Sequence, residues 1–307
     1  MLFKNLTAYR FTKPWRIALS DLEAGAAQRP SRDCQVQELE HVGFDHIHEK
    51  TRLRVWPIQN EQVFLVKVTH TKRLLPSSVV KDEARKVIAE REKTTGEKVK
   101  GAEKKEIIAN VRDSLLEKAF QKKSNIQAII HLGEQEIWID QVAEKKCMMV
   151  LNLLRKVAGS LPVEPISSSG EIVQQLSSWL LNEKNCPEGI EIGDAAKLVD
   201  TEDARAQVNI KRQDLHSEEI RALLDARCVI SLVIEIGGQL SAELTNNRVL
   251  KSIKPKEDFD LGTADGEDVN DAFDTLVHMS VEEIVLARRR LKGSLPESQT
   301  SNEEAPA

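Results

Sequence analysis

Cysteine, aromatic residues and long hydrophobic runs are all scarce in this 307-residue sequence. The four cysteines lie far apart with no CxxC pair, which argues against a disulfide framework or a zinc site and favours a reducing compartment. No stretch approaches the roughly 18 apolar residues of a membrane-spanning helix, and the charged N-terminal segment is unlike a signal peptide. We therefore expect a soluble, cytoplasmic protein that does not enter a membrane.

Motifs typical of catalysis or cofactor binding are also missing. Residues 96–101 copy the glycine spacing of a phosphate-binding loop, but Ala102 and Glu103 stand where Lys and Ser or Thr are required. The histidines at 41, 46 and 48 are close together without cysteines or an organised carboxylate set. There is no GxSxG elbow, Rossmann glycine pattern or kinase motif set. We expect a protein that is not an enzyme and that holds no cofactor or metal.

Charge, by contrast, is plentiful and unevenly distributed. The whole chain carries −5, yet residues 72–123 contain 15 Lys and Arg against 9 Asp and Glu, a net charge of +6. The remainder therefore carries −11. Such segregation is typical of an electrostatic binding surface, although a solvated helical hairpin rich in Lys and Glu has the same composition.

Apolar spacing within this basic segment predicts two helices. The first runs from Val79 to Lys93, with Ser78 as its N-cap, and breaks at Gly96. The second runs from Ala102 to Phe120 along an apolar stripe that Phe120 closes. An aromatic in that position usually packs in a core. Together the helices predict an antiparallel arm that projects from a sheet.

The rest of the chain predicts an α+β fold in which helices cover antiparallel or mixed sheets. Before residue 167 we predict strands at 2–11, 53–58, 63–69, 126–132, 136–142 and 161–166, and helices at 19–28 and 143–158. After it we predict helices at 171–181, 193–199 and 217–226, an extended segment at 208–210, strands at 229–236, 239–245 and 248–254, and two C-terminal helices, the second opening at Ser280.

Composition divides the chain into four units. Residues 1–75 and 121–166 form a central α+β unit, residues 76–120 the helical arm, and residues 167–293 a second α+β unit. The boundary lies at the serine-rich segment 167–170, and residues 294–307 read as a disordered acidic tail.

Two short basic clusters lie outside the arm. Lys211, Arg212 and Gln213 follow an extended segment and precede a helix, where all three side chains and the helix N–H groups are able to donate to phosphate oxygens. The same three residue types are also common in a solvated loop that binds no ligand, and this alternative stays open. Arg288–Arg290 are equally consistent with phosphate contact and with the dipole at a helix C-terminus.

Six segments together resemble the RdgC family of recombination-associated proteins. They are LFKNLTAYRF, RLLPSSVVKDEA, SLLEKAF, WID, LLRKVAGSLPVEPI and KRQDLHSEEI, in this order. The resemblance extends to about Ile253 and is strongest over residues 73–166 and 211–220. The last fifty residues match poorly.

The resemblance implies a homodimeric ring through which duplex DNA passes without sequence preference. Such proteins are nucleoid-associated and restrain RecA-dependent strand exchange. By position, the arm corresponds to the family's tip and Phe120 to the aromatic that closes the gate between tips. Arg212 and Gln213 correspond to DNA-contacting residues, although lysine is common at the Arg212 position. With Lys211, and with Lys118 and Lys122 beside Phe120, they are our candidate DNA contacts.

A different class of function remains open. The basic arm also suits a scaffold that recognises an acidic protein and has no role at DNA. An enzyme acting on nucleic acid would need a carboxylate-bound metal, for which the sequence offers no pattern.

Overall fold

The computed structural model describes residues 3–48, 52–58, 61–166, 170–256, 281–292 and 295. The strands within these ranges are β1 (Thr7–Phe11), β2 (Glu40–Asp45), β3 (Val55–Ile58), β4 (Val63–Arg73), β5 (Gln121–His131), β6 (Glu136–Ile139), β7 (Val163–Pro165), β8 (Ile190–Asp200), β9 (Gln207–Lys211), β10 (Arg227–Ile236), β11 (Leu240–Thr245) and β12 (Leu250–Pro255). The helices are α1 (Leu19–Ala27), α2 (Ser77–Thr95), α3 (Gly101–Lys118), α4 (Glu144–Ala158), α5 (Gly170–Leu181), α6 (Glu218–Leu223) and α7 (281–292), with a 3₁₀ turn at Glu183–Asn185. The predicted α+β class with antiparallel sheets is confirmed.

The first sheet has the order β2-β4-β5-β6-β1-β7, and β3 pairs with β4 beside β2. Its long strand β4 is buried on both faces over the segment Val63–Val66. Because side chains of a strand alternate between faces, Phe64 and Val66 meet helices α1 and α4, whereas Val63 and Leu65 meet the other half of the molecule. A continuous hydrophobic strand thus becomes the middle layer of the molecule.

The second sheet has the order β12-β11-β10-β8-β9 and shares a hydrophobic cluster with the first. Trp138 of β6, Trp179 of α5 and Leu232 of β10 all belong to this cluster and are fully buried. The sheets also touch through backbone, since Leu6 and Leu250 exchange hydrogen bonds of 2.8 and 3.1 Å. The predicted division of the chain into units at residues 75, 121 and 167 stays a prediction. The shared cluster contains residues from both sides of the boundary at 167.

Helices α2 and α3 follow β4 and make their principal contacts with each other. Gly96 ends α2 in the left-handed conformation, with φ of 72°, as the sequence predicted. Ser78 is not the N-cap, because Pro76 occupies that position and helix begins at Ser77. Strand β5 starts directly after α3, so Lys122 lies on a strand rather than in the arm.

Arg73 joins this arm to the first sheet. Its buried guanidinium donates to the carbonyl oxygens of Leu116, Glu117 and Ala119 at the end of α3, at 2.7 to 3.4 Å. The same group also donates to the carbonyls of Cys34, Gln35 and Glu38 before β2, each at 3.2 Å. A cation at a helix C-terminus offsets the negative end of the dipole and satisfies carbonyls that have no partner within the helix.

Several sequence expectations were wrong. Residues 193–199 form the middle of strand β8 rather than a helix, since Ala196 and Leu198 alternate inward with period two. Strand β2 was not predicted, because its sequence EHVGFD has few strand-forming residues. Helix α6 is shorter than the predicted 217–226. The boundary serines 167–169, the first C-terminal helix, Ser280 and the tail fall outside the described residues, except Leu295, which is buried.

No helix among the described residues is long and apolar enough to cross a membrane.

Replacing Arg73 tests its role as the connection between arm and sheet. We expect Arg73→Met to lower the free energy of unfolding by about 3 kcal/mol, because buried carbonyls lose a charged donor. Arg73→Lys should recover only part, since an ammonium lacks the planar fork. Urea unfolding measures the energy, and hydrogen exchange should show earlier exchange in the last turn of α3.

Arg85→Met is the matched control, because Arg85 is exposed on α2 and, among the described residues, forms an ion pair with Asp82 alone. A loss for Arg73→Met no larger than that of the control would refute the role assigned to Arg73.

Candidate nucleic-acid interface

A groove of about 520 Å³ crosses the open face of the second sheet. All five strands contribute to it, and its cationic residues are Lys197, Lys211, Arg212 and Lys254. The carboxylates Asp194 and Glu243 also line it, and the rest of the lining is mainly small or uncharged. Cations therefore outnumber acids in a wide, shallow surface that suits an extended polyanion better than a small molecule.

Lys211 and Arg212, predicted as DNA contacts, both lie in this groove and are exposed. Neither forms an ion pair within the described part of the chain. Arg212 has φ of 52°, a left-handed conformation that is uncommon for a residue with a side chain. Ser252, across the same groove, also has φ of 52°. Such backbone strain often accompanies binding sites.

Gln213 does not line the groove itself. It lines a neighbouring depression with Lys211, Glu219 and Leu223, and its N–H donates to the Asp194 carbonyl at 3.4 Å. The expected phosphate site at the next helix N-terminus is not favoured, because α6 has only six residues and opens with Glu218 and Glu219. Carboxylates there already occupy the positive end of the dipole.

A second group of predicted residues lies where the arm meets the first sheet. Phe120 follows α3 and is 84% exposed, so the core interpretation of this aromatic is wrong. Strand register pairs Lys122 with Lys72, and the Phe120 carbonyl accepts from the Leu74 N–H at 2.7 Å. The exposed apolar side chains of Phe120 and Leu74 thus lie close to the exposed Lys72 and Lys122 at the ends of β4 and β5.

The cations near Phe120 differ in their partners. Lys118 and Lys122 form no ion pair among the residues that the structure describes, and Lys72 is in the same situation. Lys123, in contrast, lies 2.8 Å from Asp33, and this hydrogen bond raises the pKa of Lys123 and lowers that of Asp33. Like charges on directly opposed residues are unfavourable, so Lys72 and Lys122 would gain from an added anion.

Three cations of the arm form ion pairs within the arm. Arg85 pairs with Asp82, Lys86 with Glu83, and Arg91 with Glu103 on the facing helix. Four of the 15 cations counted over residues 72–123 lie on β4 and β5, so residues 76–120 alone carry 11 cations against 9 acids, a net charge of only +2. The cations without ion pairs at the junction are better candidates than those three.

The arginine triplet of α7 has an internal role, so its interpretation as a phosphate contact is not supported. Arg288 donates to Glu136 on β6 at 3.0 and 3.2 Å, and both side chains are buried. Arg289 donates to Glu134 at 2.8 Å. Arg290 lies so close to Gly237 that a β-carbon there would collide with its guanidinium. The triplet binds α7 to both sheets.

Several titratable side chains near α7 have shifted pKa values. Partial burial alone would raise the pKa of Glu134, but hydrogen bonds from Arg289 and Lys292 outweigh it and lower the pKa. Burial lowers the pKa of His131 and of Arg248, and the charge of Arg288 adds to the effect on Arg248. Glu134 forms structural ion pairs with Arg289 and Lys292, so its shifted pKa does not indicate a binding site.

The described residues contain no group of three or more His, Cys, Asp or Glu side chains arranged to hold a metal ion. Two groove lysines, Lys197 and Lys254, were not identified from the sequence. Residues 193–199 were interpreted as a helix, and only strand alternation puts Lys197 on the face opposite buried Ala196 and Leu198.

Arg288 provides a test of the α7 contact. We expect Arg288→Met to lower the free energy of unfolding by about 3 kcal/mol, because it leaves the buried Glu136 carboxylate with only the more distant Lys292 ammonium, 3.6 Å away. Arg289→Met is the control and should change stability by at most about 1 kcal/mol, since Arg289 is exposed and Lys292 remains beside Glu134. Denaturant unfolding of both variants checks this. Equal losses would contradict it, and adding Glu136→Gln should recover part of the Arg288 effect.

Comparison with known proteins identifies the class of protein. A family model described as "Putative exonuclease, RdgC" matches residues 1–296. Recombination-associated protein RdgC of Shewanella oneidensis is 33% identical over 264 residues, covering 85% of this chain and 86% of that protein. The proteins of the same name from Shewanella piezotolerans and Shewanella loihica are 30% and 32% identical over 86% and 84% of this chain and 87% and 85% of theirs. The chain belongs to the RdgC family, as its sequence motifs indicated.

Proposed function

We propose that this protein acts in recombination by binding double-stranded DNA without sequence preference and without catalysis. The observation that carries the proposal is the pair Lys211 and Arg212, which line the cationic groove, are exposed and form no ion pair with any residue that the structure describes. Cations at such positions bind phosphate oxygens, which are the same in every sequence. The name of the Shewanella relatives, recombination-associated protein, supports the cellular context.

The proposal includes a homodimeric ring with the exposed Phe120 at one self-contact. An encircling dimer needs two separate contacts per subunit, because a single isologous patch leaves an open clamp. Phe120 lies beside exposed Leu74, and a symmetric contact would bury both side chains of each subunit. Nucleoid association and restraint of RecA-dependent strand exchange follow as proposals, because a ring on the duplex would occupy the substrate of that reaction.

The contribution of Arg212 is tested by its alanine variant. We expect Arg212→Ala to weaken binding to two unrelated duplexes equally and to reduce the slope of log affinity against log salt by about 0.9, the effect of one phosphate contact. Fluorescence anisotropy at several salt concentrations measures both quantities. Arg205→Ala is a matched control, because Arg205 is exposed but pairs with Asp203. A loss confined to one duplex sequence would count against backbone binding.

The self-contact is tested by Phe120→Ser. Because Phe120 is 84% exposed, we expect the variant monomer to keep the unfolding midpoint of the unmodified monomer. The dissociation constant of the dimer should rise, so that the variant dimer dissociates at protein concentrations where the unmodified dimer is stable. Sedimentation velocity measures the dimer and circular dichroism the fold. Leu181→Ser, at a similarly apolar exposed position on α5, should leave association unchanged. An unaltered dimer in Phe120→Ser would remove the gate from the proposal.

A scaffold that binds an acidic protein through the arm is the second candidate. It is favoured by Val79 and Val87, which are exposed apolar residues on α2 among the arm's charges. Capture of one acidic partner that persists after nuclease treatment would support it.

The exonuclease activity named in the family model's description is tested separately. End-labelled duplex is incubated with the protein and Mg²⁺, and shortening of the DNA would contradict binding without catalysis.

A further inference from the structure

We propose that Lys197 and Lys254 continue the phosphate-binding surface of Lys211 and Arg212 across the open face of the second sheet. The DNA backbone would then cross all five strands instead of touching one edge. This inference rests on the proposed DNA binding and names residues that neither the sequence motifs nor the family resemblance indicated.

The position of Lys197 is unusual for a lysine. It lies on β8, which pairs with β9 on one side and β10 on the other, directly opposite Asn209 and Ser231. Lysine is depleted in strands, and a buried or half-buried ammonium normally has a carboxylate partner. Lys197 is half-buried and forms no ion pair within the described chain. Its charge is therefore available to a ligand that enters the groove.

Lys254 occupies the opposite edge of the same face. It lies on β12 opposite Ser241, is exposed, and has no carboxylate within ion-pair distance in the described ranges. Strands β9 and β12 are four positions apart in the sheet. At about 4.8 Å per strand, the two edge strands are about 19 Å apart across the sheet. Because a duplex rises about 3.4 Å per base pair, this width corresponds to about five to six base pairs along its axis.

Two of the carboxylates near this face have partners of their own, whereas Asp194 lines the groove without an ion pair among the described residues. Glu243 accepts a hydrogen bond from the Ser231 hydroxyl at 2.7 Å, and Glu235 pairs with Lys256. A cation at that end of the face is thus neutralised, whereas Lys197, Lys211 and Lys254 are not. Ser231, Ser241 and Asn209 are short, so they leave room for a backbone and offer hydrogen-bond donors to phosphate.

The test compares Lys197→Gln, Lys254→Gln and the double variant with the unmodified full-length chain. Binding of one 20-base-pair duplex is measured by fluorescence anisotropy at four or more salt concentrations. Each single change should reduce the salt slope by about 0.9 and the double change by about 1.8, one phosphate contact per lysine. Lys184→Gln removes the same charge from an exposed turn outside the groove and should leave the slope unchanged.

The outcomes distinguish failure of the extended surface from failure of the proposed DNA binding. If the Lys197 and Lys254 variants keep the slope of the unmodified protein while Arg212→Ala lowers it, DNA binding stands and the extended surface is refuted. If Lys184→Gln lowers the slope as much as the groove variants, the effect is one of net charge and the extended surface is likewise refuted. If the unmodified chain binds no duplex at low salt, the proposed function itself fails. Circular dichroism of each variant establishes that the fold is intact.

Discussion

The shared hydrophobic cluster between the two sheets is the constraint on which the rest of the structure depends. Strand β4 contributes to cores on both of its faces, so the first sheet cannot shift against the second without exposing buried apolar surface. Each buried aliphatic or aromatic side chain contributes about 1.5–3 kcal/mol, and the cluster contains many of them. The groove and the arm junction are therefore held in a fixed relation, which a surface for an extended ligand requires.

The α7 contact and the arm contact stabilise this arrangement through buried arginines. Arg288 is neutralised by Glu136, which also accepts from the Trp138 indole at 2.7 Å. Among the described residues Arg73 donates only to carbonyl oxygens, and all three of its guanidinium nitrogens do so. Arginine suits both places because its planar group donates in several directions at once. The cations with structural partners are thus distinct from those that remain on the open faces.

Sequence patterns predicted the strands and helices whose periodicity is strong, and they failed where tertiary context decides. Val229–Ile236 and the Gly237-Gly238 turn form a clear hairpin signal, and the structure has it. Residues 193–199 are a strand because sheet pairing on both sides overrides their helical composition. Arg288 was indistinguishable from a phosphate ligand by sequence, since its partner Glu136 lies 152 residues away. A local sequence pattern therefore cannot reveal which carboxylate a buried cation contacts in the folded protein.

Net charge alone is a poor guide to DNA binding, and this protein illustrates the physical reason. At −5 the whole molecule should repel a duplex weakly at long range, but screening at physiological salt limits that repulsion to about 8 Å. At contact, only the local surface matters, and each neutralised phosphate releases counterions. A chain that leaves cations without ion pairs in one groove of its described part gains this release despite its acidic total. We therefore expect its affinity to depend on salt through the number of groove cations and not through the net charge.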